Sequence, residues 1–149
     1  MARPNPLDAA LMASPDDTEH QFYEALQRGD IERLMAVWSD DEEITCVHPG
    51  GPRVVGAAAI RSAFEAIFAN GAVNARPEKV RRLQTLSCSV HSVLEQVHLM
   101  TPQGPQTAWV VATNVYLKTA QGWRLVSHHA SPGSPREMQE IIEAASTLH

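Results

Sequence analysis

The sequence has few of the features that mark charged-surface, disulfide-rich or membrane proteins. It carries 12 basic against 17 acidic residues, and no basic cluster is longer than Arg81-Arg82. Nucleic acid and anionic membranes are therefore poor partners. Cys46 and Cys88 are too few for a disulfide framework or a cysteine-based zinc site. No apolar run approaches the roughly 20 residues of a membrane span and no secretory signal is evident, so we expect a cytoplasmic protein.

Motifs that indicate a cofactor are also missing. The sequence contains no Gly-rich phosphate loop, no Gly-x-Ser-x-Gly elbow, no His-Glu-x-x-His pair and no calcium loop. A metal site would require His48, Glu95 and His129 to converge within bonding distance, which we consider the weaker hypothesis. We therefore expect neither a cofactor nor a metal.

The first half of the sequence predicts three helices after a flexible lead-in at residues 1–14. Ser14-Pro15 is typical of a helix start, and Asp30 is a suitable cap for a second helix. Apolar residues at helical spacing carry this second helix to Trp38, and a third helix begins at Gly56. Two short strands are expected between the second and third helices, at residues 44–48 and 53–55.

The second half predicts a sheet. Turn residues divide it into four strands, near residues 79–86, 89–100, 106–119 and 123–130. Links this short favour an antiparallel meander. Helices followed by strands indicate a single α+β domain, residues 15–132, with the helices on one face of the sheet. Residues 133–149 are expected to form a C-terminal amphipathic helix or tail.

Two polar residues interrupt strands that are otherwise apolar. Glu95 is in phase with His91 and Val93, so on a concave face it would be a carboxylate in an apolar cavity with a raised pKa. A solvated position, or an ion pair across the strands, is an equal alternative. Asn114 is disfavoured in a strand without a purpose. It could orient a substrate carbonyl or hold His129 in one tautomer, or simply bond the backbone.

The last strand contains adjacent histidines whose side chains must diverge. Strand alternation places Trp123, Leu125 and His129 on one face, and His128 on the other. One histidine therefore points into the fold and its neighbour points away. A buried, unpaired polar group costs roughly 1–3 kcal/mol, so the inward histidine needs a partner or a ligand.

These elements resemble the nuclear transport factor 2-like superfamily. The resemblance rests on the paired helices ending at Trp38, the stretch CVHPGGPRVVG, and a meander that closes with ATNVY and GWRLVSHHASP. It covers about residues 18–132. Within the superfamily the pattern is similar to bacterial SnoaL-like proteins, and its ending also to the association domain of calcium/calmodulin-dependent protein kinase II. The implied fold is a cone-shaped, half-open barrel, a curved antiparallel sheet wrapped around three N-terminal helices, with frequent dimerisation through the outer sheet face.

The resemblance also implies a set of site residues. It places His48 and Trp38 near the mouth of a pocket, and it favours His129 as the inward histidine. The ligand-binding set is then Trp38, His48, Glu95, Asn114 and His129. It does not fix a reaction, because one superfold hosts many activities. The sequence lacks the Asp/Tyr pattern of ketosteroid isomerases and the Asp-Arg-Asp set of epoxide hydrolases.

Two functional hypotheses follow. The first is a homodimer that binds a small, mostly apolar organic molecule and carries out cofactor-free isomerisation, dehydration or cyclisation. Glu95 or His48 would be the base, and Asn114 with His129 would donate to a developing oxyanion. The second is a non-catalytic assembly or ligand-sensing module. An open cavity around Trp38 favours the first hypothesis, and a cavity filled by side chains favours the second.

Overall fold

A computed structural model describes residues 12–134 and residue 136. The elements, in chain order, are α1 (Pro15–Arg28), α2 (Ile31–Ala36), β1 (Thr45–Val47), β2 (Arg53–Val55), α3 (Ala57–Phe68), β3 (Asn74–Gln84), β4 (Cys88–Thr101), β5 (Gly104–Thr119) and β6 (Gly122–Pro132). The α+β class agrees with the prediction. Most of the expected lead-in, residues 1–11, and nearly all of the expected C-terminal helix lie outside the described residues. No helix in the described ranges has the length and hydropathy needed to span a membrane.

Helix α1 begins and ends where its sequence signals predict. The Ser14 hydroxyl accepts a hydrogen bond from the Asp17 N–H at 3.1 Å, and Pro15 occupies the first turn, where its missing N–H has no cost. The helix stops at Gly29, which adopts φ 63° and donates to the last free carbonyls. A left-handed residue of this kind is a common helix end and favours glycine.

Helix α2 is shorter than the sequence predicts. Asp30 caps it, but it ends at Ala36, so the expectation that the helix continues to Trp38 is wrong. The chain instead forms a parallel bridge between Trp38 and Leu125. Leu125 donates to the Val37 carbonyl at 2.8 Å and accepts from the Ser39 N–H at 2.9 Å. Hydrogen bonds to the sheet replace those of a further helical turn.

The six strands form one mixed sheet in the order β2-β1-β6-β5-β4-β3. Strands β3 to β6 are the predicted antiparallel meander. Strand β1 runs parallel to β6, so the expectation of a wholly antiparallel sheet is wrong. Parallel pairing is possible there because helix α3 and the meander lie between the two strands and supply the long connection that it requires.

The two faces of the meander differ in burial. On the inner face Val93, Ala112 and Tyr116 are fully buried in the same core as the helices, whereas Ser92 and Thr113 on the outer face are exposed. The alternation of strand side chains therefore separates a buried inner face from an outer face that carries exposed side chains.

Strand β6 contains a bulge that reverses its alternation. Val115 pairs with Ser127, but the next residue of β5, Tyr116, pairs with Leu125, which leaves Val126 as an extra residue. A bulge of this kind shifts every later side chain to the opposite face. Leu125 and His128 consequently both lie on the inner side, at 0% and 4% exposure, and His129 is exposed.

Candidate functional site

A cavity of about 210 Å³ lies between the inner face of the sheet and the helices. Its wall is mostly apolar, formed by Leu26, Pro49, Phe64, Ile67, Val73, Ala75, Val97, Val110 and Ala130. Among the residues that the structure describes, the polar side chains that line it are His48, Glu95 and His128. Mostly apolar walls with a few convergent polar groups are typical of small-molecule sites. The volume exceeds the roughly 150 Å³ of an engineered cavity that holds benzene.

Glu95 extends from the middle of β4 into this cavity and is 5% exposed. One of its oxygens, Oε2, accepts a hydrogen bond from the Tyr23 hydroxyl at 2.7 Å. No group in the described part of the chain bonds the other oxygen, Oε1. Burial, aided by the negative charge of Glu19 and opposed by the Tyr23 bond, raises the pKa of Glu95 from its ordinary value of 4.5 to about 7. A carboxyl group whose pKa lies near 7 can both accept and return a proton at neutral pH.

His128 is held by an amide. Its Nδ1 lies 2.5 Å from Oδ1 of Asn114, and because an amide oxygen can only accept, Nδ1 carries the proton. Burial, followed by the nearby His48 and His129, lowers the pKa of His128 to about 3. The imidazole is therefore neutral at pH 7, and its Nε2 is unprotonated. No described group bonds Nε2, which leaves it as a hydrogen-bond acceptor at the cavity wall.

His48 forms the third polar part of the wall, directly after β1. Its ring packs edge-on against Phe64 at 4.8 Å between centroids and lies 6.4 Å from the ring of His128. Its Nε2 is 3.7 Å from the Cys46 sulfur. Burial lowers the pKa of His48, so this side chain is also neutral at pH 7. A neutral imidazole is a weaker base here than the Glu95 carboxylate.

A buried carboxyl group, Glu19 of α1, anchors the polar network behind the cavity. Its Oε2 accepts from the Tyr116 hydroxyl at 2.7 Å, from Nδ1 of His91 at 2.9 Å and from Nδ2 of Asn114 at 3.4 Å. Asn114 also donates to the Tyr23 hydroxyl at 3.1 Å. These bonds connect the two cavity groups, Glu95 and His128, through fixed partners. Shared hydrogen bonds of this kind hold the side chains of a network in one arrangement.

The predicted site residues divide into two groups. His48 and Glu95 line the cavity, and Asn114 lies directly behind it. His129 does not belong to the site. The expectation that it is the inward histidine is wrong, because the bulge at Val126 turns it outward. His129 is exposed and does not line the cavity that His48 and Glu95 share, so the structure does not bring these three side chains together.

Trp38 also lies elsewhere than the resemblance implied. It is 5% exposed, packs within the apolar core and does not line the cavity. The space around Trp38 is therefore filled by protein side chains. A filled space at this position is the outcome that we expected for the assembly hypothesis. The open cavity beside Glu95 favours ligand binding.

The predicted role of Asn114 as a hydrogen-bond donor to substrate does not fit the structure. Its amide hydrogens are directed at Tyr23 and Glu19.

The sequence prediction missed the two members of the network that come from α1, Glu19 and Tyr23. Together with Phe22 and Leu26 they occupy positions i, i+3, i+4 and i+7 of α1, which is the spacing of a single buried helix face. A glutamate in that stripe was the available signal of a buried carboxyl group.

Glu19 and His91 also lie close enough to Asp16 for the three side chains to hold a metal ion. Asp16, however, pairs with Arg82 at 2.7 Å, and the other two already bond each other.

Comparison with known proteins places this geometry in a family. A family model described as a SnoaL-like domain matches residues 16–135. A Thiobacillus denitrificans protein provisionally named a calcium/calmodulin-dependent protein kinase type II association domain is 30% identical, with a TM-score of 0.75 over 83% of this chain and 98% of that one. A Streptomyces avermitilis protein of the nuclear transport factor 2-like family, provisionally named a dehydratase, is 28% identical, with a TM-score of 0.73 over 87% and 99%.

A more distant structure shares the fold alone. The calcium/calmodulin-dependent protein kinase II hub of S. rosetta is 21% identical, with a TM-score of 0.63 over 89% of this chain and 100% of that one. No curated protein sequence gives a significant match. The family model spans most of the chain, from residue 16 in the first turn of α1 to residue 135. The chain therefore belongs to the family of SnoaL-like domains, within the nuclear transport factor 2-like fold.

Proposed function

We propose that the inner cavity binds a small, mostly apolar organic molecule and that Glu95 transfers a proton on it without a cofactor. The reaction class is isomerisation or dehydration. The observation that carries the proposal is the position of Glu95, which is buried in the cavity wall, has one oxygen that no described residue bonds, and has a pKa raised to about 7. Strongly shifted carboxyl groups in clefts are typical of general acids and bases.

The chemistry needs only the groups at the cavity wall. Ionised Glu95 takes a proton from an acidic C–H of the ligand, and the C–H electron pair moves into the adjoining π system. In isomerisation the protonated Glu95 returns the proton at another carbon. In dehydration it gives the proton to a departing hydroxyl group, which leaves as water. Both routes restore the carboxylate, so no external oxidant or reductant is required.

A chemical probe tests Glu95 without knowledge of the natural ligand. 5-Nitrobenzisoxazole eliminates when a base removes its ring C–H proton. The C–H pair forms a nitrile, the N–O bond breaks, and a coloured phenolate is released. We expect the full-length protein to accelerate this step with a rate that rises with pH and reaches half its maximum near pH 7. Glu95 faces Tyr23 and, further away, Glu19, while His48 and His128 share its cavity and are neutral there.

Matched substitutions separate the cavity base from general surface catalysis. Glu95→Gln should remove the acceleration, whereas Glu43→Gln, which changes an exposed glutamate in the loop before β1, should leave it intact. Ala130→Leu should reduce it by filling the cavity. An unchanged rate in Glu95→Gln, or a midpoint near pH 4.5, would refute the assignment of Glu95 as the base.

We also propose that the curved sheet and helices form a cone-shaped half-open barrel with the cavity inside. Supporting observations are the single six-stranded sheet, the bulge in β6 and the helices packed on its inner face. Bulges and strong twist are the usual means by which a sheet closes around a core. Small-angle scattering of the chain would test this shape.

A second function, assembly through the outer sheet face, is favoured by a specific observation. Apolar side chains, including Leu94, Val111 and Leu117, occupy the outer face of β4 and β5, and Leu117 is 40% exposed. The 30% identical relative carries the name of an association domain. We propose a homodimer through this face. Leu94→Glu should lower the mass measured by analytical ultracentrifugation to that of a monomer, and an unchanged mass would contradict the interface.

A further inference from the structure

We propose that the ligand of the inner cavity is an uncharged molecule whose hydroxyl group donates a hydrogen bond to Nε2 of His128, and that Asn114 sets this preference by fixing the imidazole tautomer. The inference rests on the proposed function, because it names the chemical class of the molecule on which Glu95 would act. Asn114 is in this sense a positioning residue, since it contacts His128 and does not line the cavity.

The orientation of the Asn114 amide is determined by its neighbours. Nδ2 lies 3.4 Å from the Glu19 carboxyl oxygen that already accepts from Tyr116 and His91, and an accepting oxygen requires a donor opposite it. Nδ2 also donates to the Tyr23 hydroxyl, whose own proton is directed at Glu95. The amide nitrogen therefore faces α1, and Oδ1 is left facing β6.

The tautomer of His128 follows from that orientation. Oδ1 of Asn114 accepts from Nδ1 at 2.5 Å, so in the neutral ring Nε2 must be without a proton. His128 is 4% exposed, and no described group donates to Nε2. A hydroxyl donor supplied by a ligand would satisfy this atom, whereas an ether or carbonyl oxygen would be placed lone pair against lone pair.

The rest of the wall indicates that the ligand is uncharged. None of the described residues that line the cavity is a lysine or an arginine. A carboxylate or phosphate would meet Glu95 without a compensating cation, and burying an unpaired charge is costly. A cationic ligand would lose its own hydration on entering a mostly apolar wall that offers it a single carboxyl group, Glu95, and this desolvation often outweighs the attraction. Size limits the class further, because about 210 Å³ holds little more than one substituted ring.

Matched small ligands test the preference by calorimetry on the full-length protein. Phenol, anisole, benzoate and benzylamine share a ring and differ in donor and charge. We expect phenol to bind at least ten-fold more tightly than anisole, and we expect benzoate and benzylamine to bind more weakly than phenol. Equal binding of phenol and anisole, tighter binding of either charged compound, or no binding of phenol at millimolar concentration would overturn the inference.

The tautomer itself can be observed in the unmodified protein. Nitrogen-15 NMR of the imidazole groups should show His128 with the proton on Nδ1 and an unprotonated Nε2. A proton on Nε2 would overturn the inference whatever the ligand series shows. In Asn114→Leu we expect the proton to move to Nε2 and the preference for phenol over anisole to fall. Asn74→Leu, at an exposed position at the start of β3, is the matched control.

The two proposals fail in different ways. Proton removal from 5-nitrobenzisoxazole depends on Glu95 and needs no donor to His128. If Nε2 proves protonated while Glu95→Gln still abolishes that reaction, the ligand class is wrong and the proton-transfer function stands. If the tautomer and the phenol preference are found but Glu95→Gln has no effect, the cavity binds hydroxyl compounds without acting on them.

Discussion

Replacing Glu95 by glutamine should stabilise the protein at neutral and alkaline pH. The folded state raises the pKa of Glu95 from 4.5 to about 7, so between these values the folded protein binds more protons than the unfolded one. Stability therefore falls as the pH rises through this window and the lost contribution is constant above it. Because one pKa unit corresponds to about 1.4 kcal/mol, the ionised carboxylate costs the fold about 3 kcal/mol at pH 8.

Glutamine has the same shape, stays neutral, and retains an oxygen that can accept from Tyr23. The free energy of unfolding, measured with urea at several pH values, should be similar for the two proteins at pH 4.5. As the pH rises to about 8, the free energy of unfolding of Glu95→Gln should increasingly exceed that of the wild type, by about 3 kcal/mol at most. Glu43→Gln, at an exposed site, should show no such divergence. A constant difference across the pH range, or one that grows on acidification, would refute a raised pKa at Glu95.

Three further outcomes follow from single contacts. His128→Gln should resist acid unfolding better than the wild type. Burial lowers the pKa of His128 from 6.5 to about 3, so the wild type loses stability as the pH falls through that window. Circular dichroism during acid titration would show the difference. Ser14→Ala should cost about 1 kcal/mol in urea unfolding by removing the α1 cap. Gly133→Ala should cost about 1–3 kcal/mol in the same assay, since a Cβ there would lie 2.8 Å from the Trp109 carbonyl oxygen. For each variant, an unchanged midpoint in its acid or urea titration would contradict the prediction.

Local signals account for the parts of the fold that the sequence could predict. Ser14-Pro15 and Gly29 delimit α1 because capping depends on a few neighbouring residues. The meander follows from turns between strands. The parallel pairing of β1 with β6 joins segments about eighty residues apart, and no local pattern specifies it. The early end of α2 has the same origin, because Leu125 supplies the competing hydrogen bonds.

Polar residues in apolar surroundings were the most informative signal for the site. Glu95 and Asn114 each interrupt a strand whose neighbouring residues are apolar, which predicted them as site residues, and both are buried. What each one bonds could not be predicted, because their partners come from α1 and β6. Tyr23 and Glu19 can be predicted as their partners only if the polar residues at the helical spacing of the buried α1 face are counted with the apolar ones.

The choice between His128 and His129 shows why alternation alone could not place the inward histidine. Alternation carried from Leu125 assigns His129 to the inner face, and it would be right in a regular strand. The extra residue Val126 breaks the pairing with β5 and adds one step, so the inner face continues at His128. A bulge depends on how two strands pair, and a sequence that alternates well on both sides of it contains no sign of the insertion. The buried partner Asn114 is what gives His128 its position, since Asn114 and His128 are opposite each other in the ladder.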